Sequence, residues 1–201
     1  MKLRYSPTSP FVRKVTVTLH ETGLFDGVEM IATDVSDPAS DIAKDNPVGK
    51  VPALIADDGT VYMESAVICA WLDSLHDGPK LIPAEGPARW RALRLQALCD
   101  GILDGAVGRI QETRRPAEKQ WDGLHERRRT AIARTLDLLE SEADGLGDEA
   151  NAGTVALGCA LGYLDFRFAD ENWRDGRPKL AAWYGKFAAR PSMRATEPRL
   201  P

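Results

Sequence analysis

Ser9 stands directly before Pro10, and a helix-forming run continues from there to about Thr22. Proline at a first helical position gives up no hydrogen bond, so Ser9 falls at the N-cap. A hydroxyl at the positive end of a helix can stabilise a small anion, although serine is also a preferred cap with no further role. A second stretch runs Asn46-Pro47-Val48-Gly49-Lys50-Val51-Pro52-Ala53-Leu54-Ile55, then Asp58-Gly59, then Thr60-Val61-Tyr62-Met63-Glu64-Ser65. Val51-Pro52 precedes a short apolar strand, where proline removes one ladder donor and tolerates a cis bond. Asp58-Gly59 between two β-rich runs is a hairpin signal. Glu64-Ser65 then places a carboxylate and a hydroxyl where the next helix begins, beside unpaired N–H groups suited to a small anion.

The elements that must position these groups follow from pattern. Lys2–Tyr5 predicts a strand, Pro10–Thr22 a helix with Gly23 closing its C-terminus, and Val28–Thr33 a second strand. Ser36–Asp45 is a polar connection with a short helix. The hairpin Ala53–Ala56 and Thr60–Met63 leads into a helix over Ala66–Leu75, with Ile68, Trp71, Leu72 and Leu75 on one stripe. The order βαβαββα implies a mixed sheet with helices packed on it, an α/β thioredoxin-like domain over residues 1–76. Residues 77–87 hold Gly78, Pro79, Pro83, Gly86 and Pro87 and form a turn-rich linker. Residues 88–201 predict an all-α helical bundle. Its first helix, Trp90–Ile110, carries Gly101, Gly105 and Gly108, which would permit close backbone contact. His125–Leu146 is amphipathic, Thr154–Asp170 is apolar nearly all round and is expected at the centre, and Pro178–Ala189 is the last long helix.

Composition narrows the function classes. At 201 residues the chain can bury a substantial core, and a net charge of −4 favours neither nucleic acid nor an anionic membrane. The first 78 residues carry 6 Lys and Arg against 12 Asp and Glu, and the remainder 20 against 18. An anionic ligand in the first segment therefore needs local donors. The Arg127-Arg128-Arg129 run, with Arg114 and Arg115, lacks interleaved aromatics and is expected to be surface. No apolar run is long enough to span a membrane, and the N-terminus lacks the core of a signal peptide. Cys69, Cys99 and Cys159 form no CxxC, and His20, His76 and His125 are scattered. We expect buried thiols in a reducing cytoplasm and no metal site.

The run from Asn46 to Leu54, followed by Glu64-Ser65, resembles the glutathione-binding half of the glutathione S-transferases. The resemblance implies that Pro52 is cis and that the backbone of Val51 pairs with the cysteinyl part of glutathione. It also implies that Glu64 and Ser65 hold the γ-glutamyl carboxylate. Lys50 could pair with the glycyl carboxylate, or be an ordinary surface lysine. A thioredoxin-like domain followed by a helical one is the transferase architecture, and Arg190-Pro191-Ser192 through Thr196 resembles the family's ending. One departure concerns the buried helix, which the family opens with Ser/Thr-x-x-Asp. Thr154 is present here, but Leu157 replaces the carboxylate.

Ser9-Pro10-Phe11 resembles the Ser-Pro-Phe element of serine-type transferases, whose serine hydrogen-bonds the glutathione sulfur. Cys-Pro-Phe in omega-like relatives supports mixed disulfides instead, so Ser9 implies thiolate activation. Tyr5, Ser6 and Thr8 compete for that role. The implied protein is a cytoplasmic homodimeric glutathione transferase in detoxification, with glutathione as co-substrate and a small, hydrophobic electrophile. Trp90, Ile110 and Tyr163 are candidates for lining the electrophile's site, and Asp100 or Asp104 could approach a partner subunit's glutathione. The same site could serve a glutathione-dependent isomerase, dehalogenase or peroxidase, or a non-catalytic binding or regulatory protein of this fold.

Overall fold

The structure, a computed structural model, describes residues 1–200. The chain divides into two compact units, residues 1–84 with the segment from Pro191 onward, and Glu85–Arg190.

The first unit is built on a four-stranded sheet of β1 (Lys2–Tyr5), β2 (Glu29–Ala32), β3 (Ala53–Ile55) and β4 (Val61–Met63), in the order β2-β1-β3-β4. β1 is parallel to β2 and antiparallel to β3, which pairs antiparallel with β4. Helices α1 (Pro10–Glu21) and α2 (Ser65–Ser74) supply Val15, Leu19, Ile68, Cys69 and Leu72, which close over Leu3 and Leu54 of the sheet. Leu3 and Leu54 are directly paired across the strands, so period-2 alternation sends Arg4 to the other face. There Arg4 binds Asp41 at 2.9 Å and Asp45 at 2.7 Å, and its guanidinium holds the Asp41 carboxyl below its ordinary value. The second helix of the expected βαβαββα order is one 3-10 turn, Ile42–Lys44, sitting between those two acids. Gly23 follows α1 at φ 72°, and Leu24 N–H reaches the Leu19 carbonyl at 2.9 Å while Gly23 N–H reaches His20 at 3.3 Å. That is a Schellman ending, and glycine suits its left-handed residue.

Two features draw more of the chain into this unit than the expected span 1–76. Buried Asp73 accepts the N–H groups of Leu81 at 2.7 Å and Ile82 at 3.0 Å, which pins the turn-rich segment after α2. The terminal helix α7 (Pro191–Ala195) docks on α1, where Arg13 Nη2 donates to the Met193 carbonyl at 3.0 Å and Ser192 bonds Glu21. The helical unit accordingly runs from Glu85 to Arg190 rather than over the expected 88–201.

That unit comprises α3 (Gly86–Thr113), α4 (Asp122–Ser141), α5 (Ala152–Arg167) and α6 (Pro178–Phe187). Every residue of α5 from Ala152 to Leu164 is buried, as its apolar composition requires. Its start corrects the expected cap. The N-cap is Asn151, whose Oδ1 accepts from Gly153 N–H at 2.9 Å and Thr154 N–H at 3.1 Å. Thr154 lies three residues further on, and its hydroxyl accepts the Asn151 N–H at 2.8 Å. A capping box is therefore complete without a carboxylate at 157.

Of the close approaches expected at Gly101, Gly105 and Gly108, Gly105 makes one to α4, where an added Cβ would lie 3.3 Å from the Ile132 side chain, but the tightest backbone approach is at Gly153. A Cβ at Gly153 would lie 2.7 Å from the Ala92 carbonyl and 2.8 Å from Leu95 Cβ on α3, whereas Gly101 faces open space and Gly108 meets the guanidinium end of the Arg128 side chain. Gly153→Ala should lower stability by up to about 2 kcal/mol, overpacking of about 1–3 being offset by about 1 from helix propensity. Urea denaturation checks this, and an unchanged midpoint would show that α3 and α5 separate at no cost.

Candidate active site

Strand register gathers the candidate residues. Arg4 of β1 pairs with Ala53 of β3, and Ala53 pairs with Met63 of β4, forming one row at one end of the sheet. Three segments leave from that row: Tyr5 to Ser9 into α1, Lys50 to Pro52 entering β3, and Glu64-Ser65 opening α2. The six expected ligand-binding positions, Ser9, Lys50, Val51, Pro52, Glu64 and Ser65, thus share one end of one unit.

Ser9 has extended backbone, φ −81° and ψ 121°, and caps α1. Its Oγ accepts the Val12 N–H at 3.3 Å, so its own proton remains available to an outside acceptor. The competitors are placed differently. Tyr5 packs against the Leu3–Leu54 core, the Ser6 and Thr8 hydroxyls lie 3.4 Å apart, and none of the three caps α1, although Tyr5 and Ser6 border the same cavity as Ser9. A cavity of about 350 Å³ opens beside Ser9 and runs along α1 past Arg13 and Thr16 to Thr196 and Arg199.

The Val51-Pro52 bond is cis. Asn46, buried and absent from the expected site, holds the turn ahead of it. Its Nδ2 donates to the Lys50 carbonyl at 2.8 Å, and its Oδ1 accepts the Val48 N–H at 3.0 Å. Asn46 also follows Asp45, so the Arg4–Asp45 pair on the back of the sheet anchors this turn. The Asn-Pro dipeptide was its sequence signal. Pro52 is buried, Val51 half-buried and the Lys50 side chain exposed.

Glu64 is exposed and has φ 66° and ψ 121°, a backbone conformation that non-glycine residues rarely adopt. Ser65 is the first residue of α2 and is 4% exposed. Beneath it lies Lys14 of α1, 1% exposed, with Nζ 3.1 Å from Ser65 Oγ. A lysine amid the apolar residues of α1 gave no sign of this contact.

Comparison with known proteins decides the family. The family described as "Glutathione S-transferase, N-terminal domain" matches residues 3–80, and "Glutathione S-transferase, C-terminal domain" matches residues 122–186. The chain belongs to the glutathione S-transferase family. The uncharacterized GST-like protein YibF of Escherichia coli K12 is 35% identical over 98% of both chains. A glutathione transferase family member from Pseudomonas fluorescens Pf-5, solved with bound glutathione, is 44% identical, covers 99% of both chains and superposes with a TM-score of 0.95. The structure of such a protein with S-(propanoic acid)-glutathione gives a TM-score of 0.92 over both whole chains.

The helical unit of this transferase-family chain sorts the remaining candidates. Trp90 and Ile110 are both on α3, 20 residues and so roughly 30 Å apart along the helix, which is too far to line one small-molecule site together. Trp90 is 68% exposed and borders a shallow depression with Gly86, Pro87, Arg91 and Arg94. Tyr163 is buried in α5, and burial pushes its phenol above the ordinary value, with Arg167 opposing. Asp100 and Asp104 are on α3. Arg129 pairs with Glu126 and Arg115 with Glu112, which accounts for part of the basic run. Cys69, Cys99 and Cys159 are buried, and none forms a disulfide. Among the described residues no His, Cys, Asp or Glu side chains group as metal ligands, and no helix is long and apolar enough to cross a membrane.

Proposed function

We propose that the protein is a glutathione transferase that presents the glutathione thiolate to a small electrophile. The observation that carries this reading is the place of Ser9 Oγ, which caps α1 and accepts the Val12 N–H at 3.3 Å. That contact leaves the hydroxyl proton for the sulfur of a ligand at the start of α1. The rest of the sheet end supports the same ligand. The Val51 backbone ahead of a cis proline is suited to pair with the cysteinyl segment, and exposed Lys50 to meet the glycyl carboxylate.

Chemistry divides the γ-glutamyl group between Glu64 and Ser65. A carboxylate only accepts hydrogen bonds, so Glu64 suits the ligand's ammonium rather than its carboxylate. The Ser65 hydroxyl and the first N–H groups of α2 suit the carboxylate. In the reaction, the thiol proton leaves to solvent, and a sulfur lone pair forms a bond to the electrophilic carbon as a leaving group departs with its pair. Addition to an activated double bond is the same step with the carbon protonated afterwards. Ser9 supplies stabilisation of the thiolate, and holding both reactants supplies the proximity.

A relative solved with an S-substituted glutathione supports carbon–sulfur chemistry over disulfide exchange. The cavity beside Ser9 mixes Val12, Phe25 and Met30 with Arg13 and Arg199, which suits an apolar acceptor carrying a polar group. A cytoplasmic homodimer serving detoxification goes with this reading. The test is retention on immobilised glutathione and elution by free glutathione, followed by titration of the bound ligand's thiolate absorbance. The reading expects binding with a thiol pKa below that of free glutathione. No retention would overturn it, and binding with an ordinary thiol pKa would favour a non-catalytic binding protein.

A further inference from the structure

The buried contact between Lys14 and Ser65 has no part in the reaction just described. It joins α1 to α2 directly beneath the expected γ-glutamyl site, 51 residues apart in sequence. We propose that Lys14 is a positioning residue, which fixes the direction of the Ser65 hydroxyl so that its proton faces the γ-glutamyl carboxylate of glutathione. The inference rests on the reading that Ser65 meets that carboxylate.

Hydrogen-bond direction makes the argument. An ammonium group has three donors and no acceptor. At the 3.1 Å contact Lys14 must therefore donate, and Ser65 Oγ must accept. The hydroxyl proton cannot point at Lys14 and must leave along another direction. A serine without such a partner rotates freely and can spend its proton on a nearby carbonyl, as serine hydroxyls on helices often do. Ser65 is the first residue of α2, so its outward proton and the unpaired N–H groups of that turn can converge on one carboxylate. A donor engaged by a cation is also the stronger donor, because charge polarises the hydroxyl along the chain of bonds. Burial of both residues, 1% and 4% exposed, keeps water from offering Ser65 an alternative.

A purely structural lysine would support every ligand at this site equally, so the test compares two ligands. Glutathione and γ-aminobutyryl-cysteinyl-glycine differ only in the γ-glutamyl carboxylate. Calorimetric affinities for both are measured with the full-length wild type, Lys14→Arg, Lys14→Gln and Lys14→Met. The wild type should prefer glutathione. Lys14→Arg, also a donor only, should keep that preference. Lys14→Gln and Lys14→Met should lose about tenfold to a hundredfold in glutathione affinity with the analogue's affinity little changed, the size expected for one charge-assisted hydrogen bond. Glutamine keeps a polar group of similar length in the buried position, so it carries the test if methionine fails to fold. Equal losses for the two ligands, or a preference undiminished in Lys14→Gln, would overturn the role of Lys14 while leaving Ser65 in the site. A wild type that does not distinguish the ligands would remove Ser65 from the carboxylate and the proposal with it.

Discussion

Ser9→Ala is expected to move the pH dependence of thiolate formation upward by about 1–2 units. A thiol of ordinary pKa about 8.5 brought to about 6.5 requires roughly 2.7 kcal/mol in favour of the thiolate. A hydrogen bond to a charged group contributes about 1.5–3 kcal/mol, and a helix N-terminus about 0.3–1. Alanine removes the first contribution and keeps the second, because α1 remains. The sign follows: a thiolate forms as pH rises through the pKa, so the variant needs a higher pH to reach the same fraction. At a pH near 6.5 the thiolate fraction should fall by about fivefold to fiftyfold. The rate should fall less, because a thiolate of higher pKa is intrinsically more nucleophilic, and the two enzymes should converge above pH about 9. Alanine also removes the cap from α1, at about 0.5–2 kcal/mol of stability. Ser9→Gly separates the two losses, since glycine caps at a cost of only a few tenths of a kcal/mol and carries no hydroxyl. Thiolate absorbance against pH in the three proteins checks this. A depressed pKa that survives Ser9→Ala would transfer the role to Tyr5, Ser6 or Thr8.

What the sequence disclosed about this site was what short-range chemistry writes into neighbouring residues. The Val51-Pro52 turn, the Asp58-Gly59 hairpin with Gly59 at φ 85°, and the Ser9-Pro10 cap are each encoded within a few positions, while the cis bond at Pro52 was implied by the family resemblance. A mixed sheet with helices packed on it followed from them, and the order β2-β1-β3-β4 is what the structure adds. The contacts that were not legible span long separations. Lys14 reads as an interruption in an apolar helix until α2 is laid against α1. Asp73 reads as an exposed helix-end acid until Leu81 and Ile82 fold back on it. Gly101, Gly105, Gly108 and Gly153 are equal in sequence, and only the packing of α5 on α3 distinguishes the last. Thr154 can cap a helix by residue type alone. Asn151 competes for the same position, and the side chain that reaches two N–H groups wins. Trp90 and Ile110 are alike as large apolar residues, but they stand 20 positions apart on one helix.

Glu64→Gly is expected to weaken glutathione binding and at the same time leave the fold as stable or more so. Glu64 holds φ 66° and ψ 121°, outside the regions open to residues with a Cβ. Such a conformation costs about 1–3 kcal/mol and persists only where the surroundings impose it. Here the imposing elements are β4, which ends at Met63, and α2, which begins at Ser65, with the Ile68 N–H bonded to the Glu64 carbonyl at 3.0 Å. Glycine adopts positive φ without the Cβ clash, and its greater freedom when unfolded costs about 0.5–1 kcal/mol. The balance is a gain of about 0–2 kcal/mol. A carboxylate chosen only for folding would not be placed on a backbone that penalises it, so the strain itself points to a ligand. Losing its contact with the γ-glutamyl ammonium should weaken binding by about tenfold to a hundredfold. Glu64→Gln, which keeps the strain and the length but not the charge, should lose affinity with no gain in stability. Thermal melts and calorimetry on the two variants resolve these effects, and unchanged glutathione affinity in Glu64→Gly would remove Glu64 from the site. A loss of stability in Glu64→Gly would show instead that the carboxylate has a folding role strong enough to outweigh its backbone.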